Sequence, residues 1–244
     1  MNLSTLLKSY IEIKNESHLI LAFGSSIIEQ YVRNNGYANW IDHVSNSIRF
    51  NYSKNIVFLN QGISGDNVID LGKRLNRDVL SYKPKICIIA IGGNCARDNI
   101  SVVTWMTEIR SITEQLLLED IVPVFCTYFQ LDFENLPSEY LIYLQYRDEI
   151  LKYVEENNII VVDNFYYFSE LVKAGFILSK YLRNPNHVNE YGHAILAYIF
   201  LKSLNICQPE IPEWINNKLI EEFKYIEKIL TTSSSATTLC HGSC

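Results

Sequence analysis

The sequence lacks the long apolar runs and the basic excess that are typical of membrane and nucleic-acid-binding proteins. No stretch of the 244 residues approaches the roughly 18 apolar residues that a bilayer span requires. Lys and Arg number 21 against 27 Asp and Glu, and the net charge of -6 repels phosphate backbones and anionic lipid surfaces. We therefore expect neither nucleic acid nor a membrane as a partner.

The N-terminal region lacks the pattern of an export signal. Residues 1–17 alternate Leu and Ile with Lys and Glu, which predicts an amphipathic helix rather than a signal peptide. We therefore expect a reducing, cytoplasmic compartment. Four cysteines lie in or beside apolar segments, where free thiols pack as small hydrophobes, so no disulfide framework is predicted: Cys87, Cys95, Cys126 and Cys207.

The composition, 48% hydrophobic and 20% charged, is that of a globular chain, and its length suits one compact domain. Five short apolar segments, each followed by a stretch of helical period, predict a parallel sheet covered by helices on both faces. We expect a flavodoxin-like three-layer α/β/α sandwich with a five-stranded parallel sheet. The predicted strands are residues 18–23, 55–60, 85–91, 121–127 and 158–163.

Apolar residues at helical spacing predict helices between and after these strands, at residues 27–33, 40–48, 68–80, 102–118, 139–155, 166–173, 189–204 and 213–230. The chain divides into an N-terminal helical extension (1–17), the main α/β domain (18–206), a C-terminal helix (207–230) and a tail (231–244). The tail carries eight Ser or Thr and no charged side chain apart from His241, so we predict that it is flexible.

Polar loops follow the predicted strands at the edge where parallel sheets bind ligands. These loops are Gly24-Ser25-Ser26, residues 60–66, Gly92-Gly93-Asn94-Cys95 and, late in the chain, Asn184-Pro185-Asn186-His187. Each has a purely structural interpretation when it is taken alone. Serine caps helices, glycine serves turns, asparagine forms Asx turns, and a histidine often lies at the surface.

Together, the four loops resemble the sequence blocks of the SGNH, or GDSL, hydrolase family in order, spacing and strand context. The resemblance covers roughly residues 19–204 and includes the phrases LAFGSSI, NQGISGDNVIDLGKRL, IIAIGGN and NHVNEYGHAILA. It implies a serine-dependent esterase or acyltransferase acting on a small ester or thioester. By the same resemblance, Ser26 is the nucleophile and His187 its base, and the oxyanion hole consists of the Ser26 and Gly62 backbone N–H groups and the Asn94 side-chain amide.

Three aspartates of the family pattern are absent, because Ser25, Cys95 and Asn184 stand in their places. The last substitution matters most, since the triad carboxylate orients the histidine and stabilises its imidazolium, and its replacement by Asn in serine proteases costs about 10⁴ in turnover. Asn184 can still orient His187 through its amide oxygen if another group fixes the amide, or a backbone carbonyl between residues 183 and 186 can do so. Such a dyad suits reactive acyl donors.

Several other residues carry open alternatives. Asp66 and Asp98 lie in loops at the same edge and can contribute charge, whereas Cys95 is either a thiol at the mouth of the site or a packed residue. His193 is expected to pack under its helix. The spacing of His, Cys, Asp and Glu shows no ligand cluster, so we predict no metal and no cofactor.

Two further hypotheses compete with that of an active enzyme. The missing aspartates favour a binding or scaffold protein that has kept the fold but lost efficient chemistry. The tail, with Cys240 and Cys244 after clustered Ser and Thr, resembles the core of a ribosomal peptide natural-product precursor, which would make a modifying enzyme a partner. Substrate choice is expected to lie in residues 128–138 and 165–183.

Overall fold

The computed structural model describes residues 3–12, 16–29 and 36–234. Its central sheet has five parallel strands in the order β2-β1-β3-β4-β5, which confirms the flavodoxin-like α/β prediction. The strands are β1 (His18–Gly24), β2 (Ile56–Gly62), β3 (Ile86–Ala90), β4 (Val122–Cys126) and β5 (Ile160–Val162).

Helices cover both faces of the sheet and account for the apolar character of the strands. In chain order they are α1 (Leu3–Glu12), α2 (Trp40–Asn51), α3 (Val68–Asp78), α4 (Gly93–Arg97), α5 (Val102–Leu118), α6 (Ile142–Glu156), α7 (Asn164–Lys173), α8 (Glu190–Ser203), α9 (Glu213–Asn216) and α10 (Ile220–Ser234). Helix α5 packs against both α3 and α6, and α2, α7 and α10 pack against α8. Every residue of the inner strand β3 is buried between these layers.

The register of the sheet brings three strand ends to one level. Gly24 at the end of β1 pairs with Gly62 of β2 on one side and with Ala90 of β3 on the other. The loops that follow these strands therefore leave the sheet together, at its carboxyl edge, as expected for a ligand site in an open parallel sheet.

The predicted helix 27–33 lies only partly within the described residues. Its described part forms a turn, in which the N–H groups of Ile28 and Glu29 both donate to the Ser25 carbonyl, at 2.9 and 3.0 Å. Residues 30–35 lie outside the described residues. The turn is fixed from elsewhere in the chain, because the side chains of Asn39 and Asn60 both donate to the Ile28 carbonyl.

The predicted helix 213–230 is divided into α9 and α10. At the break, the Lys218 carbonyl accepts a hydrogen bond from Lys180 Nζ at 3.3 Å. Helix α10 also continues through residues 231–234, which sequence analysis assigned to the flexible tail. There the hydroxyls of Thr231 and Thr232 bond the Lys228 carbonyl within the helix, so Ser and Thr composition alone did not mark its end. Residues 235–244, including both tail cysteines, lie outside the described residues.

Two short elements stand where sequence analysis expected only loops. One is the five-residue helix α4, and the other is an antiparallel hairpin of β6 (Leu182–Asn184) and β7 (His187–Val188). Neither is long enough to produce a periodic apolar pattern.

The N-terminal extension is not separate from the domain, because Leu3 and Leu7 of α1 belong to the buried core. None of the helices in the described part of the chain combines the length and the apolar character that crossing a membrane requires.

Candidate active site

The structure brings Ser26 and His187 into hydrogen-bonding contact across 161 positions of sequence. Ser26 follows β1, and its Oγ lies 3.0 Å from Nε2 of His187 on β7. The neighbouring Ser25 is fully buried and faces away, with its Oγ 3.0 Å from the hydroxyl of Tyr128. Of the two consecutive serines, the geometry therefore pairs only Ser26 with a base.

Asn184 holds the other nitrogen of the same imidazole. The hairpin places Asn184 opposite His187, and its Oδ1 lies 3.0 Å from His187 Nδ1. The same Oδ1 also accepts the backbone N–H of Asn186 at 3.2 Å. A peptide N–H is always a donor, so the atom of Asn184 that faces it must be the amide oxygen.

This arrangement settles the tautomer of His187 by hydrogen-bond logic. Because Asn184 presents an oxygen, the imidazole must carry its proton on Nδ1, and Nε2 is left with the lone pair that faces the Ser26 hydroxyl. The Asn184 carboxamide thus orients the ring, which is one of the two alternatives that the sequence left open. Unlike a carboxylate, it supplies no negative charge.

The surroundings of His187 disfavour its charged form. Burial, and secondly the positive charge of Arg183, lower the pKa of His187 to about 4, below the ordinary histidine value of about 6.5. The ring is therefore neutral at pH 7 and able to accept a proton. It is also a weaker base than a histidine beside a carboxylate.

The end of β1 is held by a buried guanidinium. Arg74 of α3 donates to the carbonyls of Gly24 at 2.8 Å and Gln61 at 2.9 Å, so it ties the ends of β1 and β2 together. Its charge is balanced by Asp66 at 2.6 Å and Asp78 at 3.0 Å. These contacts fix the peptide that precedes Ser25 and the peptide that carries the Gly62 N–H.

Gly62 lies directly under the turn that carries Ser26. A Cβ at this position would meet the backbone nitrogen of Glu29 at 2.3 Å, so no larger residue fits. The Gly62 N–H donates to Asn60 Oδ1 at 3.0 Å. As a candidate oxyanion donor, the Gly62 N–H is therefore already engaged by a side chain of its own strand.

Asn94, the other candidate donor, lies on α4. Its Nδ2 donates to the Asp66 carbonyl at 2.8 Å, and its Oδ1 accepts from Arg97 at 3.2 Å. An amide nitrogen carries two hydrogens, so the bond to Asp66 uses only one of them.

The carboxylates that sequence analysis considered as sources of charge are engaged elsewhere. Asp66 pairs with Arg74, and Asp98 pairs with Arg97 at 2.7 Å. Neither supplies the carboxylate that the residue at position 184 lacks.

Cys95 and His193 are packed residues. Cys95 is fully buried, its Sγ accepts the Val68 N–H at 3.3 Å, and burial raises the pKa of its thiol to about 12. A thiol with this pKa is not a nucleophile at neutral pH. His193 lies between α8 and α2, where its Nδ1 accepts the Trp40 N–H at 3.3 Å, and burial lowers its pKa to about 3.

Sequence reasoning missed Arg74 and the role of Tyr128. The sequence does contain a pattern that could have indicated Arg74. This arginine lies on the apolar face of α3 between Leu71 and Leu75, with aspartates eight residues before it and four residues after it. For Tyr128 the sequence offered no such pattern beyond its position after β4. Burial raises the pKa of Tyr128 to about 12, so its hydroxyl stays protonated against Ser25.

The flavodoxin-like fold, with a serine and a histidine in contact at the carboxyl edge of its sheet, is compatible with the serine hydrolases as a class. The family model described as the GDSL-like lipase/acylhydrolase family matches residues 22–195. The chain belongs to this family. Membership places it among the ester-hydrolysing serine hydrolases and confirms the resemblance that the four loops carry.

Solved structures with similar folds include several esterases and hydrolases. The acetylxylan esterase Axe2 from Geobacillus stearothermophilus is 22% identical with a TM-score of 0.66, over 78% of this chain and 94% of that one. LAE5, an alpha/beta hydrolase from the metagenome of Lake Arreo in Spain, is 16% identical with a TM-score of 0.68, over 79% and 97%. At these identities the likeness shows the fold. Among curated proteins, none matches the sequence at a significant level.

Proposed function

We propose that the chain is an esterase in which Ser26 attacks the acyl carbon of a small ester or thioester and His187 accepts its proton. The observation that carries this proposal is the continuous chain of hydrogen bonds from the Asn186 N–H through Asn184 and His187 to the Ser26 hydroxyl. A serine hydroxyl becomes a useful nucleophile when an oriented base lies within hydrogen-bond reach.

The reaction proceeds in two half-reactions. Ser26 Oγ bonds the acyl carbon as its proton passes to His187 Nε2, and the carbonyl oxygen becomes an oxyanion. As this intermediate collapses, the imidazolium returns the proton to the leaving alcohol or thiol, and an acyl-serine remains. A water molecule, deprotonated by His187, then releases the acid; an alcohol acceptor would make the same step a transfer.

The oxyanion needs donors placed where its charge develops. Asn94 is the strongest candidate, because one amide hydrogen remains after its bond to Asp66. The Ser26 N–H is the second donor. Gly62 joins them once its N–H turns from Asn60 Oδ1 to the oxyanion or shares its bond between the two.

The neutral Asn184 limits the range of substrates. An amide oxygen orients the imidazole but stabilises the imidazolium less than a carboxylate does, and the His187 pKa of about 4 makes proton transfer harder. We therefore propose activated acyl groups, thioesters or acetyl esters, rather than amides. The fold neighbour that cleaves acetyl esters makes an acetyl ester the first substrate to assay.

The test is to detect by intact mass a covalent adduct with a fluorophosphonate probe, which reacts with activated serines. We expect one adduct on the native chain, none on Ser26→Ala, and retained labelling on Ser25→Ala, the adjacent buried serine. Labelling that persists in Ser26→Ala would contradict the assignment of the nucleophile.

A second candidate function, a binding or scaffold protein with a degenerate site, rests on two observations. Asn184 supplies no charge, and the Gly62 N–H is already bonded to Asn60. Absence of both probe labelling and ester hydrolysis in the folded native chain would favour it. In that case the Ser- and Thr-rich tail becomes the part to examine, by measuring its mass in protein from the native host for the loss of water that a precursor's modification would cause.

A further inference from the structure

Arg97 contacts Asn94 from the far end of the short helix α4. Its guanidinium NH1 lies 3.2 Å from Asn94 Oδ1, and its NH2 lies 3.2 Å from the carbonyl of Gly65 in the loop after β2. Arg97 thus joins α4 to the loop that also provides the Asp66 carbonyl for Asn94.

The two ends of a carboxamide have opposite hydrogen-bonding character, and a guanidinium has donors only. Arg97 can therefore face only the oxygen of Asn94, and the Asp66 carbonyl can face only the nitrogen. A flip of the amide would break both bonds and would set the oxygen against the Asp66 carbonyl. The two contacts together select the orientation that offers an amide N–H, rather than an oxygen, to a developing oxyanion.

We propose that Arg97 is a positioning residue that keeps the Asn94 amide oriented as an oxyanion donor. This inference rests on the proposed serine esterase function, and it adds a residue outside the four sequence blocks. Arg97 acts through Asn94 and need not touch the substrate.

Arg97 is itself held in place. It forms a two-point contact with Asp98, Nε to Oδ1 at 2.7 Å and NH2 to Oδ2 at 3.1 Å, and Asp98 Oδ2 also accepts from Asn67 at 3.0 Å. The hydrogen bond from Arg97 lowers the pKa of Asp98, so the pair stays ionised at neutral pH. Planar two-point pairing of this kind fixes direction as well as charge, which a lysine cannot reproduce.

The test is a double-mutant cycle between Asn94→Ala and Arg97→Met, with p-nitrophenyl acetate as the substrate and kcat and KM measured separately. Asn94→Ala removes one oxyanion donor and should lower kcat by about 10²- to 10³-fold. Arg97→Met should lower kcat by about tenfold with little change in KM, because the orientation matters mainly in the transition state. In the Asn94→Ala background the same change should have less than about a twofold effect.

Arg110→Met is the matched control, because it removes an exposed arginine from α5, where Arg110 stacks on Tyr153. It should leave kcat unchanged. The side chain of Arg97 is 48% exposed, so Arg97→Met should fold. If Arg97→Met does not fold, Arg97→Lys replaces it in the double-mutant cycle. We then expect a smaller loss of kcat in the native background and no loss in the Asn94→Ala background.

Four results would overturn the proposal. An equal loss in both backgrounds would mean that Arg97 acts independently of Asn94, and an unchanged kcat would mean that it does not act on catalysis. If Asn94→Ala leaves kcat unchanged while Ser26→Ala abolishes turnover, Asn94 is not a donor, and the esterase function stands without this inference. If Ser26→Ala leaves turnover intact, the proposed function itself fails, and this inference fails with it.

Discussion

The two halves of the candidate site are built in different ways. The serine half lies at the end of β1, where buried Arg74 ties two strand ends and is balanced by two aspartates. The histidine half lies on a two-strand hairpin, where Asn184 is exposed and orients His187 without charge. One half is fixed by the core of the domain and the other by a local turn. Changes to the buried Arg74 contacts that fix the serine half should therefore affect folding, whereas changes to Ser26 itself or to the hairpin should affect chemistry alone.

The serine half gives the largest expected effect on activity. Ser26→Ala removes the nucleophile and should abolish ester hydrolysis. The free energy of unfolding should stay within about 0.5 kcal/mol, because a hydroxyl at the surface end of a strand contributes little packing. Activity on p-nitrophenyl acetate and urea denaturation, measured on the same preparation, check both parts. If Ser26→Ala hydrolyses the ester at the rate of the native chain, the nucleophile is another residue.

Arg74→Met should test whether the serine half depends on the core. The substitution leaves the Asp66 and Asp78 side chains, 17% and 10% exposed, without their buried partner. Removing one member of a buried ion pair costs about 3–5 kcal/mol, and urea denaturation should report a loss of that order.

The matched control for this change is Arg77→Met. Arg77 pairs with the same Asp78, but its side chain is 70% exposed, so we expect little change in stability. Equal destabilisation by the two variants would contradict the claim that burial makes Arg74 the structural anchor.

The difference between the halves also explains what could be predicted from the sequence. The strands and the loops after them were predictable because apolar runs and glycines are local signals. The resemblance of these loops to the GDSL family then indicated Ser26, Gly62, Asn94 and His187. The part played by Asn186 was not predictable, because a backbone N–H carries no residue signature. The contacts of Arg74 and Tyr128 depend on strand ends that meet only in the folded sheet. The helix α4 and the hairpin β6–β7 are too short to leave a period.

The histidine half of the site should determine how kcat/KM depends on pH. His187 must be neutral to accept a proton, so kcat/KM should fall as the pH drops through the pKa of about 4 and should stay level above it. An ordinary histidine would give this limb near pH 6.5. A pH profile of kcat/KM on p-nitrophenyl acetate, corrected for acid unfolding by circular dichroism, provides the measurement.

Arg183→Gln tests the same His187 pKa through a smaller effect, a shift in the acid limb of the pH profile. The charge of Arg183 is the second cause of the lowered His187 pKa, after burial. Its removal should move the acid limb to higher pH while leaving kcat near neutral pH almost unchanged. A limb that moves to lower pH, or not at all, would mean that Arg183 does not act on the imidazole.

The central claim is that Ser26 and His187 form an assembled catalytic centre in which the neutral amide of Asn184 replaces the usual carboxylate. The most direct test is kcat/KM for p-nitrophenyl acetate at pH 7 in Asn184→Asp against the native chain, each with and without Ser26→Ala. A carboxylate at position 184 should stabilise the imidazolium, so we expect a gain that depends on Ser26 and lies below the roughly 10⁴-fold effect of the triad carboxylate. A fall in activity, or no activity in either protein, would contradict the claim.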